Sequence, residues 1–281
     1  MGYNVYYGNL ADATVSAGDV GFETQYPVAN AAILNKNIYS EWNGDDIQTG
    51  AASYTVDLIK VNFGAATAIT SCVFDVSSLA IVLDAGDPTL ISNVDVILYG
   101  SADNYAHNTA IKALIEETPA ANTFSKTYTD IYAETFASAS YQYYKISLVI
   151  TLSGSDACGW DVSGNLLNLY LGSYLSLPDP DFYARSLTHK TSINTSYTGL
   201  RSGQDTQGQR KAYNMTFDNL SEAEKNNIIA FDSDTGGGAY PVYFEHTSII
   251  DAFFARIIGG LDIIPTAYQN YRCAMNIEEE L

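Results

Sequence analysis

Short runs of β-forming residues, each closed by turn residues, dominate the first part of this chain and constrain its fold more tightly than any other feature. Ser53 to Leu58 alternates polar and apolar side chains, as a strand with one wet face does. Ile69 to Val76 would set Cys72, Phe74 and Val76 on one face. Val94 to Tyr99 is ended by Gly100-Ser101. Tyr141 to Leu152 is long and β-branched toward its end, and Leu166 to Leu171 is ended by Gly172. Ala106 to Glu117 shows only a partial helical period and reads as a loop plus strand. Many short strands with few helical stretches predict an all-β fold, here a jelly-roll β-sandwich.

Leu177-Pro178-Asp179-Pro180-Asp181 is the best boundary, because two prolines beside aspartates favour an extended connector. The expected units are therefore 1–176 and 177–281. Charge shifts at the same place: residues 1–175 carry 18 acidic and 5 basic side chains, and residues 176–281 carry 14 and 8. Beyond the boundary, Phe182 to Tyr197 alternates. The polar segment Gly199 to Gln209, with three glycines, predicts a mobile loop. Lys211 to Phe217 is strand-like, and Ser221-Glu222-Ala223-Glu224 is a capping box that predicts a helix from Glu222 to Phe231. Tyr240 to Glu245, Phe253 to Ile258 and Tyr268 to Glu278 read as strands. The second unit is expected to be a β-sandwich or barrel with one α-helix near 222–231.

Several partners are excluded by charge and hydropathy. The net charge of −19 repels a phosphate backbone, so no nucleic-acid binding is expected. No apolar run approaches the ~20 residues that span a bilayer, so no membrane insertion is expected. Cys72, Cys158 and Cys273 are scattered and odd in number, which fits no disulfide framework and suits a reducing place of synthesis such as a bacterial cytoplasm. The N-terminus lacks the basic and apolar segments of a signal peptide. The 22 tyrosines fit a β-rich protein, or one with much tyrosine-lined interface.

The motifs of catalysis are missing. There is no Gly-x-Ser-x-Gly elbow and no phosphate loop, and His107, His189 and His246 stand far apart. Asp45-Asp46, Glu116-Glu117 and Asp156 with Asp161 are the suggestive carboxylate pairs, and each sits near turn residues as a solvated acid would. Asp232 to Gly236 begins like a calcium loop but has Tyr243 at the twelfth position. Asp84 to Asp95 lacks the inner ligands. A structural calcium elsewhere in the acidic first unit stays open. No catalytic, cofactor-binding or metal-ligating residue is assigned, and the chain is expected not to be an enzyme.

Taken in order, several motifs resemble a galactose-binding-like, discoidin-type jelly roll over about residues 20–175. They are Ser40-Glu41-Trp42, Tyr54-Thr55-Val56-Asp57-Leu58, Leu98-Tyr99-Gly100-Ser101-Ala102-Asp103 and Tyr143-Tyr144-Lys145-Ile146. One departure is Ile59, where the pattern has Gly; a glycine comes later, at Gly64. The second unit, with Ser196-x-x-Gly199, Tyr213 to Phe217 and Leu220-Ser221-Glu222, resembles the tail-tube-like β domain of bacteriophage tail proteins, distal tail proteins among them. These resemblances imply a virion protein of a phage tail (tail tip, baseplate or distal tail ring), made in the host cytoplasm. They imply a partner copy of the chain in a ring, often sixfold, together with other tail proteins. The alternative they imply is an adhesion protein whose jelly roll takes a host-surface glycan. Binding loops vary in such jelly rolls, so no binding residue is carried over.

Overall fold

The computed structural model describes the chain except residues 1, 9, 11–12, 23, 26, 33–39, 50–52, 86–90, 120–122, 153–157, 196–200, 247–251 and 280–281. The fold is nearly all β. Two compact units divide it: residues 8–173 form one, and residues 1–7 with 174–281 the other. Strand β1 (Gly2–Tyr7) lies in the second, because Val5 is part of that unit's core.

The first unit contains β2 (Thr14–Ala17), β3 (Gly21–Phe22), a short 3-10 turn (Val28–Ala32), β4 (Ser40–Thr49), β5 (Ser53–Ala85), β6 (Ile91–Ser101), β7 (Thr109–Glu117), β8 (Ser125–Tyr128), β9 (Ile131–Leu152) and β10 (Cys158–Pro178) as far as Ser173. Two runs expected as separate strands, 53–58 and 69–76, belong to the single strand β5. It bends at Gly64, whose φ of 75° lies in the left-handed region, and its pairing with β9 breaks between Asn62 and Thr67. Before the bend, β5 pairs with β2 and the later half of β9, which continues into β6 and β7. Beyond the bend it pairs with the earlier half of β9, with β8 and with β10, which carries β4 and then β3. One long strand thus feeds both layers of a sandwich.

Between the layers lies one apolar cluster. Val94, Val96 and Leu98 enter it from β6 by strict alternation, and Cys72, Phe74 and Val76 enter on one face as expected. Both tryptophans are buried: Trp42 packs on Phe22 and Phe74, and Trp160 on Phe124. Tyr144 holds the bend. Its hydroxyl donates to the Thr67 carbonyl (2.6 Å) and accepts from the Tyr141 N–H (3.0 Å). The ring packs edge-on against Phe63 and Tyr141.

The second unit adds β11 (Phe182–Thr195), β12 (Arg201–Leu220), α1 (Glu222–Asp234), β13 (Val242–His246), β14 (Phe253–Ile257), β15 (Asp262–Ala267) and β16 (Asn270–Glu279). The helix starts where the capping box places it. The Ser221 hydroxyl accepts from the Glu224 N–H, and the Glu224 carboxylate accepts from the Ser221 N–H at 2.8 Å. Ile228 and Phe231 anchor α1 on a core that includes Tyr213, Phe217 and Phe244. The connector is shorter than expected, since Leu175 and Leu177 are core residues and β10 runs on to Pro178. The polar segment expected as a mobile loop is strand from Arg201 on. It forms a ladder with β11 through Thr195↔Arg201, Ser192↔Gln204 and His189↔Gln209. A ladder is made by backbone groups, and with no proline between 199 and 209 its polar side chains are no obstacle. Ser196 and Gly199 lie outside the described residues. No helix among the described residues is long and apolar enough to cross a membrane.

Replacing Tyr144 with Phe removes a hydroxyl that serves three backbone groups, the Thr67 and Ala139 carbonyls and the Tyr141 N–H, beside the bend. The expected loss is about 1–3 kcal/mol of unfolding free energy, read from the urea midpoint. An unchanged midpoint would show that the bend does not need this hydroxyl.

Candidate functional site

The Gly100-Ser101-Ala102-Asp103 motif makes a turn that folds a tyrosine onto the sheet. Asp103 organises it: its carboxylate accepts from the Ser101 hydroxyl (2.8 Å) and the His107 N–H (2.9 Å), and it pairs with the His107 ring. Hydrogen bonding to His107 holds the Asp103 carboxyl below the usual carboxylate range and raises the imidazole above its usual value. Asn104 and Tyr105 both take left-handed backbone (φ 54° and 67°), which the turn must hold in place. Tyr105 then packs on Tyr143 (centroids 5.1 Å apart), with the Lys60 ammonium 5.8 Å from its ring. Burial, with the charges of Tyr143 and Asp57, pushes its phenol up to about 12.

Beneath this tyrosine lies a buried ionic cluster. The Asp57 carboxylate accepts from Lys145 Nζ and Ser147 Oγ, each at 2.7 Å, and Lys60 Nζ lies 3.0 Å from its other oxygen. Burial opposes the ionised form, but these hydrogen bonds outweigh it and hold the Asp57 carboxyl below its ordinary value. Lys145 also lies 5.8 Å from the Tyr99 ring. The preceding segment closes on the same residue. Asp19 and Val20 donate N–H bonds to the Asp57 carbonyl, and a Cβ on Gly18 would stand 1.9 Å from that oxygen. Every charge here has a partner, so the cluster is a clamp for the fold.

The cavity lies elsewhere in the same unit. About 310 Å³ in volume, it is lined by Leu114 to Glu117, Lys126 to Asp130, and Tyr132. A bulge makes its floor. Val96 pairs with Ile115 and Ile97 with Ala113, so Leu114 is the extra residue, and both Leu114 and Ile115 are buried. Opposite, β8 sets Tyr128 against Leu79 of β5, and β9 begins with Ile131 and Tyr132 against Asp75 and Phe74.

Acids dominate the cavity. Lys126 pairs with Glu117 and lies 5.2 Å from the Tyr128 ring centroid. Glu116 and Asp130 are exposed and carry no ion pair among the described residues. The Glu117 N–H donates to Asp95 (3.4 Å), whose carboxyl is pushed up by burial and by the charge of Glu116. Burial comes first in raising the phenols of Tyr128 and Tyr132, and the carboxylates of Glu117 and its neighbours add to it. Tyr128 is 5 % exposed, and its hydroxyl is buried with no hydrogen-bond partner among the described residues. The arrangement offers carboxylate acceptors, the partly exposed Tyr132 phenol and ring surface, a set that can hold a polar, hydroxylated molecule.

Glu116-Glu117, read from sequence as solvated turn acids, therefore end β7 and line this cavity. Lys126, Tyr128, Asp130 and Tyr132 went unnoticed, for only the meeting of β7, β8 and β9 brings them together. Asp161 lies in β10 beside Val82, away from the cavity lining. Asp156 lies outside the described residues, as do the side chains of Asp45, Asp46, Cys158, His189 and His246. Asp232 to Asp234 form the last turn of α1, capped by Thr235. Among the described residues no three His, Cys, Asp or Glu side chains are grouped to hold a metal. Burial raises both the Cys72 and the Cys273 thiols, the latter to about 11.

No family model and no curated protein matches the chain. Among solved structures, a Clostridium perfringens module, CpGH89CBM32-5, in complex with GalNAc-β-1,3-galactose, covers 58% of this chain and 96% of its own, at 12% identity and a TM-score of 0.33. A family 32 carbohydrate-binding module of C. perfringens NanJ in complex with galactose covers 61% and 98%, at 18% identity and 0.31. A fucolectin from striped bass (Morone saxatilis) serum covers 98% and 99%, at 14% identity and 0.23. These are galactose-binding-like folds, and none of the three is a phage tail protein. At such TM-scores none carries an argument about this chain's ligand.

Two outcomes are expected here. Asp57→Asn strands Lys145, whose side chain is only 9 % exposed, at a cost of about 3–5 kcal/mol in denaturant unfolding. In the parent, the Asp57 contribution is present above the ordinary value of 3.8 and is lost as pH falls through the lowered one; that acid limb should shrink in the variant. The His107–Asp103 pairing has the opposite sign. It is fully present below 6.5 and is lost as pH rises through the raised imidazole pKa. An NMR titration should therefore place His107 above 6.5, and Asp103→Asn should return it to about the ordinary value.

Proposed function

We propose that this chain is a binding protein, not an enzyme, and that its unit of residues 8–173 takes a glycan in the cavity between the end of β7, β8 and the start of β9. The observation that carries this reading is the cavity itself, with the Glu116 and Asp130 carboxylates, the Tyr132 phenol and ring surface around about 310 Å³. Vicinal sugar hydroxyls need acceptors, and the apolar face of a sugar needs a ring. No nucleophile with an adjacent base accompanies them in this lining. Calorimetric titration of the whole chain with galactose and with GalNAc-β-1,3-galactose, the sugars held by the two clostridial modules, is the first test. Binding that Tyr132→Ala weakens about tenfold supports the reading. Binding that Tyr132→Ala, Glu116→Gln and Asp130→Asn all leave untouched moves the site elsewhere.

A second reading adds assembly: a ring-forming structural protein of a bacteriophage tail, made in the host cytoplasm and carried in the virion, with the glycan partner on the host surface. It is supported by the hairpin of β11 and β12. Pairing of β12 with β16 begins only at Ala212, so among the described residues Arg201 to Lys211 pair with β11 alone. A two-stranded ribbon of that length is marginal in water and leaves open edges, and a neighbouring copy would cover them. Electron microscopy of purified virions with an antibody to this chain tests it. Rings labelled on the tail are expected, and unlabelled particles would remove the reading.

A further inference from the structure

Resting on the assembly reading, we infer how two copies of this chain meet: the ribbon of β11 and β12 on one copy docks on the acidic surface of the next, head to tail, and not on the next copy's ribbon.

Charge is sorted along the chain, and the ribbon is where the sorting shows. From Leu187, opposite Lys211, to Thr195, opposite Arg201, β11 and β12 pair with each other and with no third strand among the described residues. Residues 187–211 contain Lys190, Arg201, Arg210 and Lys211 against one acid, Asp205, a net charge of +3. The other 256 residues carry 9 basic and 31 acidic side chains, a net of −22. The backbone supplies a second, independent feature. β11 is the end strand of its sheet, so among the described residues it pairs on one edge only, and β12 does the same as far as Lys211. Strand edges of this kind take another chain. A polyanion such as a nucleic acid would meet the +3, but it offers no strand to the edges and the −22 of the remainder repels it. A second copy brings acidic surface and strand edges together, at the same concentration as the ribbon. Two ribbons of the same sign repel, so the contact joins unlike surfaces. A contact between unlike surfaces is heterologous, the kind that closes a ring or grows a filament instead of ending at a two-fold pair.

Analytical ultracentrifugation of the full chain over a concentration series, at low and high salt, tests this. Self-association is expected to weaken at least about tenfold as salt rises. Lys190→Glu with Arg210→Glu should leave the chain monomeric. Lys112→Glu with Lys225→Glu, the same change in net charge made outside the ribbon, should leave association in place. Mixed with the parent chain, the ribbon variant should still be bound, because it keeps its acidic surface and the parent keeps its ribbon. The variant's urea midpoint shows that it folds, and one measurement needs no variant at all. Carbodiimide coupling of an equal mixture of isotope-labelled and unlabelled parent chain should join Lys190 of one copy to an Asp or Glu of another. Self-association that strengthens with salt would show ribbon meeting ribbon and overturns the inference, as does coupling of Lys190 within one copy only. Absence of self-association at either salt overturns it too. Tighter binding of heparin, a free polyanion, than of a second copy overturns it in favour of a polyanionic partner. Under any of these outcomes, rings labelled on virions would leave the assembly reading standing without the ribbon contact, whereas unlabelled particles would remove both.

Discussion

The buried carboxylate of Asp57 ties the sandwich together. It sits at a bulge: Asp57 pairs with Ser147 and Ile59 with Ile146, so Leu58 is the extra residue in β5. The bulge is held from both faces. On the core face, the Trp42 indole N–H donates to the Leu58 carbonyl at 3.3 Å. On the outer face, Lys145, Ser147 and Lys60 converge on the carboxylate, and the segment at Gly18 to Val20 closes over the backbone. A carboxylate this buried is tolerable only when its lone pairs are filled, and here they are. The arrangement fixes which faces of β5 and β9 point inward, and a slip of one residue would bring the lysines into the apolar cluster.

Both layers depend on that register. β5 and β9 each pass from one layer to the other, so an error in their pairing would spread to β6 and β7 on one side and to β8 and β10 on the other. The cavity inherits the same dependence. Its lining comes from β7, which hangs on β6 and through it on β9, and from β8, which hangs on β5. A cavity assembled from two strands that belong to different layers is only as well placed as the strand that joins them.

The sequence made some of this visible and hid the rest for identifiable reasons. Local chemistry was legible. The capping box at Ser221 and Glu224 is a contact between residues three apart, and the Gly100 to Asp103 turn closes within itself. Alternation placed Val94, Val96 and Leu98 because β6 has one face on the core. The continuity of β5 was not legible, since Asn62-Phe63-Gly64-Ala65-Ala66 has the composition of a turn, and the Tyr144 contact that holds the bend comes from another strand. The ribbon of β11 and β12 was misread because hydrophobic pattern reports burial, and a ribbon paired through its backbone has no need of it. The cavity had no signature at all: Glu116, Lys126 and Asp130 are far enough apart in sequence that only the meeting of the layers makes them neighbours.

The lysines show why an excess of negative charge remains where it does. Residues 1–175 contain five basic side chains, of which Lys60, Lys112, Lys126 and Lys145 are described. Each is matched to a carboxylate: Lys60 and Lys145 to Asp57, Lys112 to Glu134, and Lys126 to Glu117. Three of them also lie within 6 Å of a tyrosine ring centre, at Tyr105, Tyr99 and Tyr128. The four described lysines are therefore consumed in holding strands together. Long-range repulsion of polyanions follows from the net charge alone. The local consequence is sharper. On the cavity wall Glu117 is matched by Lys126, whereas Glu116 and Asp130 carry no ion pair among the described residues and keep their charge toward solvent.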